Sequence, residues 1–416
     1  MNVNLPYGHT QLRLDVNPAR VIISNLHLLQ SAENGASLVR KAMARPIGSR
    51  TLQELAADRR NAVILVSDHT RPVPSRDILP AMLEALRQGN PEIDITLLVA
   101  TGCHRGTTRE ELVQKLGSEI ADREKILVHD AFDPTRNIEI GRLPSGAKLV
   151  IDKAAAETEL LVAEGFIEPH FFAGFSGGRK SVLPGICAAQ TVYGNHCGKY
   201  IASDLARTGI LDGNPVHRDM EAAAEMANLQ YIVNVVINEQ KQTVAAFAGD
   251  FRQAHAAGVQ FLRNYCEVPA VPGDIVVTTN GGAPLDQNLY QCVKGLTAAE
   301  STANPGGTII LCAEMADGLG GEQFYRDMKT CSTPAALYET FCATPQEETA
   351  ADQWQTQILC RVLMHHRVIF VTRPELRQPI EEMKMEFAPN LETALQMAGG
   401  GALTVVPDGV SVCVRK

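Results

Sequence analysis

The sequence predicts an α/β fold of two α/β domains, with mostly parallel sheets and an active-site cleft between the domains. Short runs of apolar and β-branched residues alternate with stretches of helical periodicity, which is typical of parallel sheets covered by helices on both faces. The chain has 416 residues, which is more than one hydrophobic core usually organises. We therefore expect a first domain at residues 1–268 and a second at residues 269–416.

The elements follow one another in the same rhythm in both halves. In the first half we predict strands at residues 62–66, 95–100, 149–151 and 160–162, and helices at residues 77–88 and 109–116. After a proline-containing linker at residues 268–273 the rhythm restarts, with strands predicted at residues 274–279, 307–312, 367–372 and 402–406. The last apolar run, residues 410–414, can pair with either sheet, so a return of the C-terminal tail to the first domain stays open.

The composition excludes several classes of protein. The formal net charge of −9 is spread without long runs of one sign, which disfavours nucleic acid and anionic membrane surfaces as partners. No stretch approaches the roughly 20 apolar residues that a membrane span needs, and the N-terminus has no secretory pattern. The 10 cysteines are scattered without a CxxC pair, which favours reduced thiols and a cytoplasmic location.

Two motifs directly follow predicted strands, where side chains of an open α/β sheet reach the ligand crevice. In the first, Asp68 and Arg71 stand in the sequence DHTRP, and the guanidinium suits a carboxylate or a phosphate. A helix cap and a surface ion pair are an equally good interpretation of these two residues. In the second, Gly102 permits a sharp turn and His104 can exchange a proton near neutral pH, although a lone histidine is more often structural or solvated.

The densest motif extends over residues 168–181. Its glycines, Gly177 among them, allow close approach of the backbone to a ligand, but the spacing is not that of a P-loop. Lys180 follows them in a setting where burial would lower its pKa and make it a nucleophile or a covalent anchor. A phosphate-binding lysine is the plainer alternative. His170 and His196 flank this loop, and together with His104 they are compatible with a metal site without specifying one.

A fourth set lies in the second domain. Tyr290, Gln291 and Lys294 fall on one side of a predicted helix and can face the first domain, although a solvated helix surface would normally be preferred for such a lysine. Trp354, the single tryptophan, is by default a packing residue.

Taken together, the motifs resemble those of the nickel-dependent lactate racemase family, whose members include racemases and epimerases of 2-hydroxy acids. The resemblance covers essentially the whole chain. It rests on DHTRP at residues 68–72, TGCHR at 101–105, EPHFFAGFSGGRKSVLPGI at 168–186, GNH at 194–196 and YQCVK at 290–294. The third of these motifs is long and highly specific.

The resemblance implies a nickel-pincer nucleotide, pyridinium-3-thioamide-5-thiocarboxylic acid mononucleotide carrying Ni(II), which separate biosynthetic enzymes supply. By this resemblance Lys180 is the covalent attachment point, His196 is the nickel ligand, and His104 and His170 are the acid/base pair. It further implies contacts to the cofactor from Asp68, Arg71, Ser176 and Gly177, and contacts to the substrate from Arg71, Tyr290, Gln291, Lys294 and Trp354.

The resulting hypothesis is a racemase or epimerase of lactate or a related 2-hydroxy acid. Hydride leaves the substrate Cα reversibly, and the reaction passes through a 2-keto acid. Two alternatives from other classes stay open, namely a non-catalytic nucleotide- or cofactor-binding protein and a zinc-dependent hydrolase that uses the three histidines. The expected partners are the small acid and the cofactor-building enzymes. The sequence leaves the substrate, the direction of the reaction and a homo-oligomer open.

Overall fold

The computed structural model describes residues 1–415, which fold around two open sheets with helices on their faces. The strands are, in chain order, β1 Asn2–Tyr7, β2 Thr10–Asp15, β3 Asn61–Ser67, β4 Asp94–Ala100, β5 Lys125–Val128, β6 Asn137–Arg142, β7 Lys148–Asp152, β8 Leu161–Phe166, β9 Pro169–His170, β10 Gly174–Phe175, β11 Leu229–Ile237, β12 Thr243–Gly249, β13 Glu267–Pro269, β14 Gly273–Thr279, β15 Ala303–Cys312, β16 Arg367–Val371, β17 Glu386–Ala388, β18 Leu403–Val406 and β19 Cys413–Arg415.

Helices connect most of these strands. The α-helices are α1 Gly35–Ala44, α2 Leu52–Ala56, α3 Ser75–Gly89, α4 Arg109–Leu116, α5 Ser118–Arg123, α6 Lys153–Ala156, α7 Ala189–Asn195, α8 Gly198–Ile201, α9 Pro215–Met226, α10 Gln253–Cys266, α11 Leu289–Glu300, α12 Glu322–Thr330, α13 Pro334–Ala343, α14 Gln353–His365, α15 Arg377–Glu382 and α16 Leu391–Ala398. Short 3-10 turns lie at Pro18–Arg20, Asn25–Leu28, Gly178–Ser181, Gln346–Glu348 and Pro374–Leu376. Among residues 1–415, no helix combines the length and the apolar character that crossing a bilayer requires.

The first sheet has six strands in the order β12-β11-β8-β3-β4-β5. All neighbours are parallel except the edge strand β12, which is antiparallel to β11. The central strand β8 is buried along its whole length and β3 is buried at all but its two end residues, because helices cover both faces, as their continuous apolar sequence predicts. Residues 149–151 were expected in this sheet, but they lie in β7, which pairs antiparallel with β6 as a separate hairpin.

The second sheet is fully parallel, with five strands in the order β17-β16-β15-β14-β18. The runs predicted as strands in the second half of the chain all contribute to it. The two open, parallel-rich sheets confirm the predicted fold class.

Both ends of the chain pack away from their neighbours in sequence. The N-terminal hairpin β1–β2 places Val3 and Leu5 in one hydrophobic cluster with Ile275 of the second sheet. At the other end, β19 pairs in parallel with β13, and Cys413 packs with Phe175 of the first half. The division of the chain at residue 268 stays a prediction. Each end of the chain packs against the half that it does not belong to by that division.

The fold gathers the predicted motifs at one place. The neighbouring strands β3, β4 and β8 are parallel, so their carboxyl ends open at the same edge of the sheet. The loops that follow them carry the first three motifs. Helices α11 and α14 of the second half bring the remaining predicted residues to this edge, which positions the site between the two sheets.

Candidate active site

Asp68 and His104 form a hydrogen-bonded pair at the ends of adjacent strands. Ser67 and Ala100 are partners in the β3–β4 register, so the two following loops lie side by side. His104 Nδ1 lies 2.8 Å from Asp68 Oδ2, and Thr70 Oγ1 donates to the other carboxylate oxygen at 2.8 Å. Burial alone would raise the pKa of Asp68, but the hydrogen bond from His104 and the nearby charges hold it below its usual value. A carboxylate on Nδ1 fixes the ring and leaves Nε2 available for proton exchange.

The contrast in exposure within this pair matters for function. The Asp68 side chain is 2% exposed, whereas that of His104 is 45% exposed. The carboxylate therefore acts as a buried support, and the imidazole is the part that a substrate can reach. A histidine that a buried carboxylate orients in this way can exchange protons with a bound ligand.

His170 lies across the site in a setting of aromatic rings. Its ring stacks on Phe171 at 5.1 Å and meets the edge of Phe172 at 4.6 Å. The backbone N–H of Ala173 donates to His170 Nδ1 at 3.2 Å, which fixes the orientation of the ring. Burial lowers the pKa of His170 well below its usual value, and the positive charge of Lys180 lowers it further. The ring is therefore neutral near neutral pH, which is the form of imidazole that has a lone pair free to accept a proton.

Lys180 lies in the 3-10 turn after the glycine loop. Its Nζ is 5.9 Å from the centroid of the Phe172 ring. Burial is the largest cause that lowers its pKa well below the usual value, followed by the charges of Arg179 and Arg71. A larger share of this amine is therefore unprotonated near neutral pH than at a surface lysine, which is the form that a nucleophile requires.

Ser176 and Gly177 shape the loop before Lys180 mainly through their backbone. The N–H of Ser176 donates to Glu168 O at 2.8 Å. Gly177 has a φ of +86°, and a Cβ there would lie 2.7 Å from Asn234 Oδ1, so only glycine fits. On the other side of the loop, Ser176 O lies 2.8 Å from His255 Nε2 of α10. Contacts of Ser176 and Gly177 to a ligand stay a prediction.

His196 follows α7 and is 5% exposed. Its ring meets the edges of Phe172 and Trp354, each at a centroid distance of 5.0 Å. Burial, with the charge of Lys180, lowers the pKa of His196 to about 3, and its buried Nδ1 has no hydrogen-bond partner. A neutral imidazole with a bare buried nitrogen is unusual in a folded protein and matches what a metal ligand must offer.

The second half of the chain supplies a cation to the same place. Lys294 on α11 donates to Gln291 Oε1 at 2.6 Å. Burial is the main cause that lowers its pKa to about 8, and the charge of Arg71 adds to it. Lys180, Lys294 and Arg71 all lie close enough to His170 for their charges to lower its pKa. Such a concentration of positive charge is suited to an anionic ligand.

Tyr290 and Trp354 line the side contributed by the second half. The Tyr290 hydroxyl donates to Asp352 Oδ1 at 2.7 Å. Trp354 packs against Tyr193 at 6.0 Å in addition to His196. Asp352 precedes α14 with a φ of +63°, a conformation that a residue with a side chain adopts at a cost. The predicted residues of the second half thus reach the histidine side of the site.

Arg71 connects this centre to a larger opening. It is exposed and, with His69 and Lys115, lines a cavity of about 830 Å³. Its charge acts on Asp68 as well as on Lys180. Arg71 is therefore the predicted residue that links the Asp68–His104 pair to the lysines.

Several residues of this site were not predicted from the sequence. Phe172 separates His170 from His196, and Tyr193 and Asp352 contribute to the wall around Trp354. The position of Phe172 inside the densest motif was a usable signal. Nothing in the local sequence marks Asp352, because its partner lies 62 positions away.

The histidines do not form a three-histidine metal site. Within residues 1–415, no group of three or more histidine, cysteine, aspartate or glutamate side chains is arranged to hold a metal ion. The zinc-hydrolase alternative required such a group.

Comparison with known protein families agrees with this geometry. Residues 7–209 match the lactate racemase N-terminal domain, and residues 268–414 match the lactate racemase C-terminal domain. The chain belongs to the lactate racemase family. It is 46% identical to the lactate racemase of Thermoanaerobacterium thermosaccharolyticum over 100% of this chain and 99% of that protein. It is also 46% identical to the lactate racemase of Lactiplantibacillus plantarum, over 99% of both chains.

Solved structures extend the comparison to the fold of the lactate racemase family. The lactate racemase apoprotein from Thermoanaerobacterium thermosaccharolyticum superposes with a TM-score of 0.96 at 46% identity, and the alignment covers 100% of both chains. A protein from Thermotoga maritima matches with a TM-score of 0.64 at 17% identity, covering 88% of this chain and 96% of that one, which shows a shared fold alone. The family resemblance inferred from the motifs is confirmed. The chain is an isomerase of the racemase type, which is neither a non-catalytic cofactor carrier nor a hydrolase.

Proposed function

We propose that this racemase interconverts the enantiomers of lactate or a closely related 2-hydroxy acid by reversible hydride transfer from the substrate Cα, with a nickel-pincer nucleotide held at Lys180. The observation that carries the proposal is the placement of an amine of lowered pKa, a buried imidazole with a bare nitrogen and an acid/base histidine around one cationic centre. The names of the family's relatives support lactate as the substrate.

The residues present fit the proposed cofactor. The Nδ1 atom of His196 has no partner although the residue is 5% exposed, so a ligand that this ring binds meets no competing hydrogen bond on that atom. The lowered pKa of Lys180 favours the free amine that forms the thioamide linkage. The positive charges of Arg71 and Lys294 complement a nucleotide phosphate or a substrate carboxylate.

The cofactor would be attached at Lys180, with His196 as the nickel ligand and with Asp68, Arg71, Ser176 and Gly177 around it. When bound, it supplies an acceptor and donor of hydride at the substrate Cα, which is chemistry that no side chain provides. The chain itself binds the acid, orients it and moves the hydroxyl proton.

The two histidines would divide the proton transfers between the two faces of the substrate. As hydride leaves Cα, one imidazole accepts the hydroxyl proton, and a 2-keto acid is left. When hydride returns to the opposite face, the other imidazole protonates the oxygen. His104 is supported by Asp68, and His170 is held by the N–H of Ala173, so each ring is oriented before substrate binds.

Carboxylate binding is the second task of the chain. We assign it to Arg71 and Lys294, with Tyr290, Gln291 and Trp354 completing the substrate pocket. The hydrogen bond from Lys294 to Gln291 holds the amine in place. Electrostatic retention of the keto acid matters because the intermediate must reorient without leaving the site.

An isotope experiment separates hydride transfer from simple proton abstraction. Lactate deuterated at Cα is racemised in ordinary water by protein purified with its cofactor, and the product is examined by chiral chromatography and mass spectrometry. On the proposed route the deuterium returns to Cα and is retained in the product. A product that has lost its deuterium to solvent would contradict the proposal, because a proton held by histidine exchanges with water.

Attachment at Lys180 is tested on the same material. We expect a mass increase on the peptide that contains Lys180, with nickel in the intact protein, and expect Lys180→Ala to lose both the adduct and turnover. Lys199→Ala is the matched control, because Lys199 is an exposed lysine on the neighbouring helix α8. A Lys180→Ala variant that still racemises substrate would exclude the tethered mechanism. A panel of larger 2-hydroxy acids then ranks the substrates.

A further inference from the structure

The largest fully buried side chain among residues 1–415 belongs to Arg179, which none of the steps above uses. Arg179 is 1% exposed and directly precedes Lys180. Burial lowers the pKa of its guanidinium to about 9, which shows how unfavourable its surroundings are for a charge. Among the described residues, no carboxylate forms an ion pair with Arg179. A buried charge without a direct counterion is costly and needs a reason.

The guanidinium is instead surrounded by the tether loop, which we define as residues 173–177. Arg179 Nη1 donates to Phe175 O at 2.7 Å and to Gly177 O at 3.1 Å, and Nη2 donates to Ala173 O at 2.8 Å. Three carbonyls of one five-residue segment thus converge on one planar group. A guanidinium offers several donors in a fixed fork, so it defines the path of the loop in a way that a single ammonium cannot.

Two histidines also contact the guanidinium. His255 Nε2 lies 3.3 Å from Arg179 Nη1 and 2.8 Å from Ser176 O of the tether loop. Arg179 Nε donates to His217 Nδ1 at 2.9 Å, and His217 Nε2 lies 3.4 Å from Glu221 Oε2. Burial, reinforced by the charge of Arg179, lowers the pKa of His217 to about 2, so the ring is a neutral acceptor. The counter-charge of Glu221 is therefore relayed through an imidazole, which keeps a carboxylate away from the guanidinium and from Lys180.

Glycines allow the loop to wrap around this side chain. Gly174 has a φ of +79°, and a Cβ there would lie 2.3 Å from Ile210 O. Gly178 has a φ of +55°, and its Cβ would lie 2.9 Å from the His255 ring. The two ends of the wrapped segment carry the reactive groups, with His170 before it and Lys180 after it.

We propose that Arg179, oriented by His217, is a positioning residue that holds the tether loop and thereby keeps the Lys180 amine and the His170 ring against the same side chain, Phe172. This inference rests on the proposed role of Lys180. It adds a residue that acts through Lys180 and His170 and that does not itself touch substrate.

The test uses cofactor-free protein, so that it does not depend on the proposed chemistry. The full-length chain is treated with a limiting amount of an acetylating N-hydroxysuccinimide ester, and acetylation of Lys180 is measured by peptide mass spectrometry relative to that of Lys199. Hydrogen exchange of residues 173–181 is followed in parallel. In the wild type we expect Lys180 to react faster than Lys199, because more of its amine is unprotonated.

Two variants distinguish the planar geometry of the Arg179 guanidinium from its positive charge. Arg179→Lys keeps the charge but loses the planar fork, and His217→Gln removes the orienting ring while Arg179 keeps its carbonyls. In both we expect the Lys180 to Lys199 ratio to fall by about tenfold, the change in neutral amine that one pKa unit produces. Exchange should rise within residues 173–181 but not in β3. Arg263→Gln is the matched control, since Arg263 packs on the Phe175 ring at 5.5 Å without binding the loop carbonyls.

Each outcome decides the question. A wild-type labelling ratio and wild-type exchange in both variants would overturn the proposal. If Arg179→Lys does not fold, His217→Gln decides alone. If both variants change as expected but the cofactor-loaded wild type shows no turnover, the proposed function fails and the positioning role stands, because the labelling requires no cofactor.

Discussion

Replacing Asp68 by asparagine tests how much the negative charge of the buried carboxylate contributes to catalysis through His104. The Asp68 side chain is 2% exposed and lies 2.8 Å from His104 Nδ1. Asparagine keeps the shape and can still accept that hydrogen bond, but it removes the negative charge that stabilises the protonated ring. A hydrogen bond to a charged group contributes about 1.5 to 3 kcal/mol. We therefore expect kcat to fall by roughly 10- to 150-fold, since about 1.4 kcal/mol corresponds to a factor of ten.

The assay is the initial rate of lactate racemisation from each enantiomer, with variant protein that carries a measured amount of cofactor. Asp152→Asn is the matched control, because Asp152 forms a buried pair with His129 at 3.1 Å and caps α6. We expect Asp152→Asn to lower the melting temperature and leave kcat unchanged. If Asp68→Asn has a kcat within twofold of the wild type at equal cofactor content, the carboxylate does not support catalysis and the reasoning fails.

Three further predictions concern a cation, a turn and a buried ion pair. Because burial lowers the pKa of Lys294 to about 8, kcat/KM should fall as pH rises through that value. Lys294→Arg should move this alkaline fall of the pH profile to higher pH, since an arginine stays charged. If the fall does not move, Lys294 is not its source. Urea unfolding should show Gly174→Ala to be at least about 2 kcal/mol more destabilising than Gly306→Ala. Both glycines have positive φ, but a Cβ at Gly174 would meet Ile210 O, whereas nothing lies within 4 Å of a Cβ at Gly306. Equal losses of stability would contradict the clash. Glu300→Gln should cost about 3 kcal/mol, because its partner Arg361 is 7% exposed and would be left buried and unpaired. Burial alone would raise the pKa of Glu300, but Arg361 holds it below the usual value. The difference in the free energy of unfolding between the wild type and Glu300→Gln should therefore shrink as pH falls below about 4.3. A difference that is the same at every pH would refute the pairing.

The sequence was sufficient for the sheets because burial on both faces leaves an unbroken apolar run. The strand at residues 62–66 is an example, as it lies within β3 at the centre of the first sheet. The same signal failed for residues 149–151, since an apolar run does not reveal whether a strand joins a parallel sheet or a local hairpin. The motifs of the site could be predicted because they follow strands.

The long-range polar contacts could not be predicted. Arg179 was visible beside Lys180, but its partner His217 lies 38 positions away and its backbone partners appear only when the loop closes. The alternation of Val3 and Leu5 indicates a strand with one apolar face, yet it does not say which sheet that face covers. Both cases depend on tertiary packing that leaves no local pattern.

Because each end of the chain packs on the opposite half, fragments divided at residue 268 are expected to be unstable. A fragment beginning at residue 269 would lack Leu5 and its neighbours. The apolar surface around Ile275 would then be exposed to solvent and prone to aggregation. A fragment ending at residue 268 would lack the strand that shields Cys266, whose sulfur lies 3.8 Å from that of Cys413. Each half is thus completed by a segment from the opposite end of the sequence, and neither half is expected to fold stably without it.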